Sequence, residues 1–220
     1  MVYQPHRAVL GEELWNRLCS LAPERPRPTG SVLMRQGDPG THVLALTSGS
    51  AIVTLTGVEG ERTLLAVRGA GELFGELAVL DAQPRSASVN AARPCLVHVI
   101  AAPLFEKFVA EHGLINVMLR HAIARVRTAE EVRLELATAP VAHRLASALV
   151  RFVDAASAEG GEVEVPLTQG ELAQLIGASR NAVGTTVGLW KAHGWVATSP
   201  VGGLLIKNVA AISDSLHKAV

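Results

Sequence analysis

The chain has 220 residues, of which 49% are hydrophobic and 18% are charged. This composition excludes a largely disordered chain and predicts one large or two small folded domains. Twenty Lys and Arg residues balance twenty Asp and Glu residues, so net charge alone does not indicate a nucleic-acid or membrane partner.

Cys19 and Cys95 are the two cysteines of the chain. Two thiols are too few for a disulfide framework, a cysteine zinc site or a four-cysteine iron–sulfur cluster, and they fit a reducing compartment. No apolar run approaches the roughly 18 residues of a membrane span, and the N-terminal stretch lacks a signal-peptide core. We therefore expect a cytoplasmic protein with no membrane partner and no metal site.

Short β-branched runs between Pro28 and Pro103 predict strands at close spacing. Turn residues such as those of Gln36–Gly40 and Ser48–Ser50 separate the runs, which favours an antiparallel barrel or roll. The predicted strands are Ser31–Met34, Val43–Thr47, Ala51–Leu55, Thr63–Val67, Ala87–Asn90 and Cys95–Ile100.

Leu114–Ala137 contains no Gly or Pro and predicts one long helix. Its apolar stripe comprises Ile115, Met118, Ala122, Val126, Ala129, Val132 and Leu136. The small Ala122 and Ala129 suit close pairing with a second copy of the helix, whereas packing on the strands of the same chain is the alternative. Ala139-Pro140 interrupts the pattern and predicts a hinge.

The C-terminal third has a pattern of its own. Val141–Ala156 is amphipathic and predicts a helix, Glu159–Glu162 predicts a loop and Val163–Val165 a short strand. Two more helical stretches follow, so we expect a small α/β unit that is distinct from the roll.

The stretch Gly71–Ala78, followed closely by Pro84–Val89, carries the residue types of an anion site. Glycines let backbone N–H groups approach an anion, and a short helix that opens there points its positive end at the same place. Arg85 offers a planar fork for a phosphate, and Ser86 adds a hydroxyl donor. Glu76 can only accept, so its natural partner beside an anion is a hydroxyl such as that of a ribose.

Phe-Gly-Glu, an apolar pair, a short loop and Pro-Arg-Ser-Ala resemble the signature of the cyclic-nucleotide-binding domain, found in bacterial cyclic-AMP receptor proteins and in regulatory subunits of cyclic-nucleotide-dependent kinases. The resemblance implies that Glu76 holds the ribose 2′-hydroxyl and that Arg85 and Ser86 hold the cyclic phosphate. It also implies an adenine contact from the long helix, where Thr128 keeps a hydroxyl but Ala129 has none. The candidate ligand-binding residues are Phe74, Gly75, Glu76, Leu77, Ala78, Arg85, Ser86, Ala87 and Thr128.

Thr128 has a second interpretation, because a helical threonine hydroxyl can donate to the carbonyl oxygen four residues earlier in its own helix. The pair Thr128-Ala129 therefore leaves the identity of the base open.

Thr168 and Glu171 have the spacing of a capping box and predict a helix that begins near Gln169. Gly177 allows a sharp turn, and Ser179 can cap a second helix. Gly-Ala-Ser-Arg at residues 177–180 with Val183-Gly184 resembles the winged helix-turn-helix of the cyclic-AMP receptor protein (CRP/FNR) family. Trp195–Thr198, the turn Pro200–Gly203 and Leu204–Ile206 would then form the wing hairpin.

Arg180, Asn181 and Thr185 stand where this family reads DNA. Arginine suits guanine, asparagine suits adenine, and threonine suits a thymine methyl or a phosphate. The alternative is that Arg180 only contacts phosphate and Asn181 only helps the helix begin. The candidate DNA-binding residues are Thr168, Gln169, Ser179, Arg180, Asn181, Thr185 and Lys191.

Six basic and six acidic side chains follow residue 140, so we expect modest, salt-sensitive DNA binding. Together the motifs predict an α+β chain with an N-terminal antiparallel β-roll, a long dimerisation helix and a C-terminal winged helix-turn-helix. The predicted domains are 1–112 for cyclic-nucleotide binding, 113–139 for dimerisation and hinge, and 140–220 for DNA binding.

The predicted function is a homodimeric transcription regulator that depends on cyclic AMP as its effector, needs no cofactor and binds a pseudo-palindromic stretch of double-stranded DNA. RNA polymerase is a candidate partner. One alternative is the same architecture without a response to cyclic nucleotides, through another effector or constitutive DNA binding. A phosphodiesterase is disfavoured, because the residues around Glu76 and Arg85 include no metal cluster or positioned general base.

Overall fold

The computed structural model describes residues 4–155, 162–200 and 203–216. The chain divides into two compact units, one of Met1–Arg62 with Val67–Glu130 and one of Thr63–Ala66 with Glu131–Val220. The predicted loop Glu159–Glu162 and the predicted wing turn Pro200–Gly203 lie partly outside the described residues.

The described residues between Glu24 and Ala101 form two four-stranded sheets, in agreement with the predicted antiparallel roll. One sheet has the order β1-β8-β3-β6 and the other the order β2-β7-β4-β5, and the pairs of β8 with β1 and β3 and of β7 with β2 and β4 are antiparallel. The strands are β1 Glu24–Arg27, β2 Val32–Met34, β3 His42–Ser48, β4 Ser50–Thr56, β5 Arg62–Gly69, β6 Glu72–Phe74, β7 Ser88–Ala91 and β8 Cys95–Ala101.

All six predicted strands are present, and two more were missed. β1 contains Pro26 and lies at the edge of its sheet, where a residue without an N–H is tolerated. β6 lies inside the glycine-rich stretch, and its three residues are all buried, so neither turn composition nor alternation indicated it.

Four short helices precede the long one: α1 His6–Leu10, α2 Glu12–Cys19, α3 Glu76–Leu80 and α4 Ala102–Glu111. The apolar face of α2 buries Trp15 and Leu18, and α4 buries Phe105 and Phe108. These side chains form one core cluster with the outer face of the β3 sheet, for example with Val43. The helices therefore cover one face of the roll.

The long helix α5 is Ile115–Thr138, and α6 begins at Val141, so the helix breaks at Ala139-Pro140 as predicted. The predicted apolar stripe along α5 is only partly buried within this chain. Met118 is buried in the core of unit 1, whereas Ile115 and Val126 are more than half exposed.

Unit 2 contains α6 Val141–Ala155, α7 Gln169–Leu175, α8 Arg180–Ala192 and α9 Val209–Ser215 around a small sheet. The strands β9 Val163–Val165, β10 Val196–Thr198 and β11 Leu204–Ile206 pair in the order β10-β11-β9. The core residues Leu145, Leu172 and Val183 are fully buried. The helix-turn-helix and its β-hairpin are thus present, which confirms the predicted fold class.

None of the helices in the described ranges combines the length and the apolar character that crossing a bilayer requires.

Candidate functional site

A cavity opens in unit 1 between β6, α3 and the segment that leads into β7. It encloses about 530 Å³ that no atom occupies, a volume that includes its open mouth. Eight predicted ligand-binding residues line it: Phe74, Gly75, Glu76, Leu77, Ala78, Arg85, Ser86 and Ala87. Two separate segments, residues 74–78 and 85–87, are therefore brought around one space.

Arg85 is the central cation of this cavity and is only 4% exposed. Its Nη1 donates to the carbonyl oxygen of Gly75 at 2.6 Å, and its Nη2 donates to the carbonyl oxygen of His42. Burial lowers the pKa of Arg85, although the carboxylates of Glu76 and Asp38 oppose the shift. Two backbone carbonyls thus hold the guanidinium in place, and its other N–H groups remain as donors.

No carboxylate of the described residues lies within 4 Å of the Arg85 guanidinium. The carboxylates of Glu76 and Asp38 act on the guanidinium from beyond this distance, and a buried charge without a close counter-ion is costly. The same charge, together with burial, lowers the pKa of His42. An anion in the cavity would offset this cost, so the electrostatics of the site favour an anionic ligand.

Gly75 allows this arrangement for two reasons. Its φ of +81° lies in the left-handed region, which favours glycine. A Cβ at this position would lie 2.1 Å from Nη1 of Arg85, so any side chain here would displace the guanidinium.

Glu76 begins α3 and is 3% exposed. Its Oε1 accepts a hydrogen bond from Nη1 of Arg125 at 2.7 Å. Arg125 lies on α5 and also lines the cavity, so the long helix contributes a cation to the site. Sequence reasoning missed Arg125, although its position one turn before Thr128 on the same helix was an available signal.

Thr128 is half-buried and is not among the residues that line the cavity. Thr128, the residue predicted to contact adenine, therefore does not line the cavity that the other eight ligand-binding candidates of this chain line. Ser86 lines the cavity and is exposed, as a donor at the mouth should be.

His6, Glu72 and His121 form a buried cluster at one side of the cavity. Nδ1 of His6 lies 2.8 Å from Oε2 of Glu72, and the rings of His6 and His121 are in contact, with centroids 3.8 Å apart and planes tilted by 39°. Burial, followed by the proximity of His6, lowers the pKa of His121 to about 4. Sequence reasoning missed this cluster, because its members come from three distant segments.

The helix-turn-helix of unit 2 has both predicted caps. Oγ1 of Thr168 accepts from the backbone N–H of Glu171, and the Glu171 carboxylate accepts from the N–H of Thr168, so the capping box is complete. Oγ of Ser179 accepts from the N–H of Ala182 and caps α8. The sharp turn between the helices contains Gly177 with φ +59°.

The predicted DNA-binding residues lie on α7, on α8 and at their N-termini. Ser179, Arg180, Asn181, Thr185 and Lys191 are exposed, as is Thr168, while Gln169 is half-buried. On a helix of 3.6 residues per turn, the α8 positions lie within one half of the helix surface. Thr185 donates to the carbonyl oxygen of Asn181, and Nζ of Lys191 donates to Thr198 on β10.

Arg144, which was not predicted, donates hydrogen bonds to the backbone of the turn between α7 and α8. Its Nη1 donates to the carbonyl oxygens of Ile176 at 2.7 Å and of Gly177 at 3.0 Å. A cation at these carbonyls stabilises the C-terminal end of α7. No spacing rule connects position 144 with position 177, so the sequence contained no signal for it.

Comparisons with known proteins match both units. The cyclic nucleotide-binding domain model matches residues 24–112, and the Crp-like helix-turn-helix domain model matches residues 143–214. The CRP-like cAMP-activated global transcriptional regulator of Mycobacterium tuberculosis is 28% identical over 173 residues, which cover 77% of each chain. The cAMP-activated global transcriptional regulator CRP of Haemophilus influenzae is 28% identical over 165 residues, or 73% of each chain.

Solved structures show the same fold. FixK2 from Bradyrhizobium japonicum aligns with a TM-score of 0.73 at 17% identity and covers 88% of this chain and 96% of its own. The catabolite activator protein of Thermus thermophilus aligns with a TM-score of 0.51 at 25% identity over 99% of this chain and 100% of its own.

Proposed function

Because this chain belongs to the CRP/FNR family of transcription regulators, we propose that it binds DNA in response to cyclic AMP held in the cavity of unit 1. The coarse activity follows from the family: a DNA-binding regulator with a cyclic-nucleotide-binding domain, rather than an enzyme. Its relatives are described as cAMP-activated, and this supports cyclic AMP as the effector. We expect it to act in the cytoplasm.

One observation carries the effector proposal. The Arg85 guanidinium is buried, is held by two backbone carbonyls and has no carboxylate within ion-pair distance among the residues described. A cyclic phosphate is a monoanion whose oxygens accept the remaining N–H groups of such a fork. Ser86 at the mouth of the cavity would add a hydroxyl donor.

Glu76 is the proposed binding partner of the ribose, which is the second half of the ligand. One of its oxygens already accepts from Arg125, and the carboxylate retains lone pairs for a ribose 2′-hydroxyl. Phe74, Gly75, Leu77 and Ala78 would surround the sugar-phosphate ring. We propose no adenine contact for Thr128 within its own chain, because it lies outside the cavity lining.

The ligand would reach DNA binding through α5. A ribose hydroxyl on Glu76 changes the partners of the carboxylate that Arg125 contacts, and Arg125 is part of the long helix. Ligand binding is thereby linked to the position of α5 in unit 1. The proposed domains are 1–112, 113–139 and 140–220, and the break at Ala139-Pro140 would act as the hinge between the second and the third.

In unit 2, α8 is the proposed recognition helix. Its N-terminal residues Arg180 and Asn181 are exposed and lie where a helix in the major groove contacts base edges. Thr168, Gln169 and Ser179 at the helix N-termini suit phosphate contacts.

We further propose a homodimer formed through α5. Leu119, Ile123 and Val126 are 55%, 44% and 59% exposed on this helix, and their spacing of four and three residues places them on one face. Two copies would bury this apolar face and present two recognition helices to a pseudo-palindrome. RNA polymerase stays a candidate partner.

Isothermal titration calorimetry with cyclic AMP tests the effector proposal. Arg85→Ala should weaken binding at least about 100-fold, because it removes the charge that faces the phosphate and leaves its hydrogen bonds unmade. Arg25→Ala, which removes an exposed arginine of β1, is the matched control and should bind as the unaltered chain does. Equal affinities of the unaltered chain and Arg85→Ala would contradict the assignment.

The absence of Thr128 from the cavity lining favours one second candidate: the same regulator with another anionic effector. Competition of cyclic AMP by cyclic GMP and by inorganic phosphate in the same calorimeter separates the two. Strong binding of phosphate together with no binding of cyclic AMP would select the second candidate.

A further inference from the structure

The buried cluster of His6, Glu72 and His121 is not needed by the proposed regulator. The three side chains are 1%, 3% and 5% exposed, and they come from α1, β6 and α5. Each offers one nitrogen or oxygen ligand atom, and the three atoms lie within 4.8 Å of one another. Two imidazoles and one carboxylate therefore lie close enough together for a single metal ion to reach all three.

His6 is incompletely satisfied by its hydrogen bonds. Its Nδ1 lies 2.8 Å from Oε2 of Glu72 and 3.2 Å from the backbone N of Leu73. One ring nitrogen cannot both donate to a carboxylate and accept from an N–H. Its Nε2 is buried and has no hydrogen-bond partner among the described residues, and such an atom calls for a further group.

His121 has the arrangement of a metal-bound histidine. Its Nε2 lies 3.0 Å from the backbone carbonyl oxygen of Gln4, which can only accept, so the ring proton of the neutral imidazole lies on Nε2. Metal-binding histidines commonly donate their second nitrogen to a backbone carbonyl in this way. The lone pair of the neutral ring is then on Nδ1.

We propose that His6, Glu72 and His121 bind one divalent transition-metal ion of the Zn²⁺, Co²⁺ and Fe²⁺ class. Two imidazoles with one carboxylate are the ligands that this class takes in proteins, and they leave coordination positions open. Hard cations such as Mg²⁺ and Ca²⁺ prefer oxygen ligands only and should bind poorly.

The charges around the cluster are compatible with a cation. Oε1 of Glu76 lies 3.8 Å from Nε2 of His6 and adds a second buried carboxylate. Arg125 pairs with that same oxygen at 2.7 Å and contributes one positive charge. The rival to a metal is a protonated His6 that pairs with both Glu72 and Glu76, and in that case the cluster binds no metal.

A metal at this point would join the N-terminal helix, the roll and the long helix of unit 1. Glu72 itself lines the cavity, and Arg125 is one turn after His121 on α5. Metal binding would therefore fix α5 against the roll beside Glu76.

Equilibrium dialysis of the full chain against Zn²⁺ or Co²⁺, followed by elemental analysis, tests the proposal without nucleotide or DNA. We expect one ion per chain and an increase of Tm on binding. His121→Gln and His6→Gln should each weaken binding by roughly 100-fold or more, since a lost ligand costs more than a lost outer partner. His193→Gln, at an exposed histidine of unit 2, is the control. Binding below one ion per chain, or unchanged affinity in both cluster variants, would overturn the proposal.

A second measurement uses the unaltered chain, in case either variant does not fold. Cu²⁺ binds nitrogen and oxygen sites more tightly than its neighbours in the series, and with ascorbate it oxidises the histidines that hold it. Peptide mass spectrometry should find oxidation at His6 and His121. Oxidation confined to other residues would contradict the site.

Discussion

At the scale of single residues, Arg85 and Arg125, two of the arginines that line the cavity of unit 1, have different partners. Arg125 has a carboxylate partner in Glu76 at 2.7 Å, whereas Arg85 is held by carbonyl oxygens alone. A carbonyl orients a guanidinium but does not neutralise it. In the proposed function, Arg85 is therefore the residue whose charge the ligand balances, and Arg125 is the residue that responds to a change at Glu76.

Cys19 and Cys95 give a prediction at the same scale. Both thiols are buried, and burial raises the pKa of Cys95 and raises that of Cys19 to about 11. Only about 0.1% of a thiol with such a pKa is thiolate at pH 8, and the thiolate is the reactive form. We expect neither cysteine of the native chain to react rapidly with a disulfide reagent at pH 8, and both to react in guanidinium chloride.

The absorbance of the released thiolate measures both reactions. Rapid release of one equivalent from the native chain would show that one cysteine is accessible, contrary to its burial.

At the scale of elements, a glycine inside α8 and a glycine in the turn before it differ in backbone conformation. Gly188 lies inside α8, and a Cβ at this position would meet no atom within 4 Å. Gly177 has a φ of +59° in the turn, which an L side chain adopts only at a cost. The same substitution should therefore have opposite effects at the two positions.

We expect Gly188→Ala to raise the free energy of unfolding of unit 2 by roughly 0.5–1 kcal/mol, because alanine has the higher helix propensity. Gly177→Ala should lower it by about 1 kcal/mol or more. Urea titration in a Trp15→Phe background measures both, since the fluorescence then comes from Trp190 and Trp195 of unit 2. A destabilising Gly188→Ala would mean that α8 is not a regular helix at this position.

The exposed apolar face of α5 predicts the oligomeric state. Ile123→Glu should convert the dimer into a monomer, because it places a charge in the proposed helix–helix seam. Val58→Glu is the control, since Val58 is fully exposed in the turn between β4 and β5. Sedimentation velocity distinguishes the two masses, and a dimer that persists in Ile123→Glu would exclude this face as the interface.

At the scale of the whole molecule, the sequence predicted what depends on local pattern. Turn glycines, β-branched runs, the capping box of Thr168 and Glu171 and the break at Pro140 are encoded within a few residues, and the structure contains all of them. Gly75 and Arg85, which have the residue types of an anion site, were predicted for the same reason, because only ten positions separate them in the sequence.

The missed contacts depend on long-range packing. Arg125 meets Glu76 across 49 positions, His6 meets Glu72 across 66, and His121 meets Gln4 across 117. No periodicity spans such distances, so an isolated histidine or arginine gives no sign of its partner. The sequence therefore predicted the residues that line the cavity around Gly75 and Arg85 but neither its link to α5 nor the buried histidine cluster.

The neutral charge balance of the C-terminal third also limits the DNA affinity that we expect of the whole molecule. With six basic and six acidic side chains after residue 140, DNA affinity must come from a few residues on α7 and α8. In the proposed function, the effector therefore acts on weak DNA binding. A coupling free energy of about 1–3 kcal/mol between the effector site and the DNA site is then enough to decide whether DNA is bound.

The most direct measurement is fluorescence anisotropy of a labelled duplex, selected from a palindrome library and titrated with the full chain with and without saturating cyclic AMP. We expect cyclic AMP to tighten DNA binding by about five-fold to 150-fold and Arg85→Ala to abolish this response. Equal DNA affinity of the unaltered chain with and without cyclic AMP would contradict it.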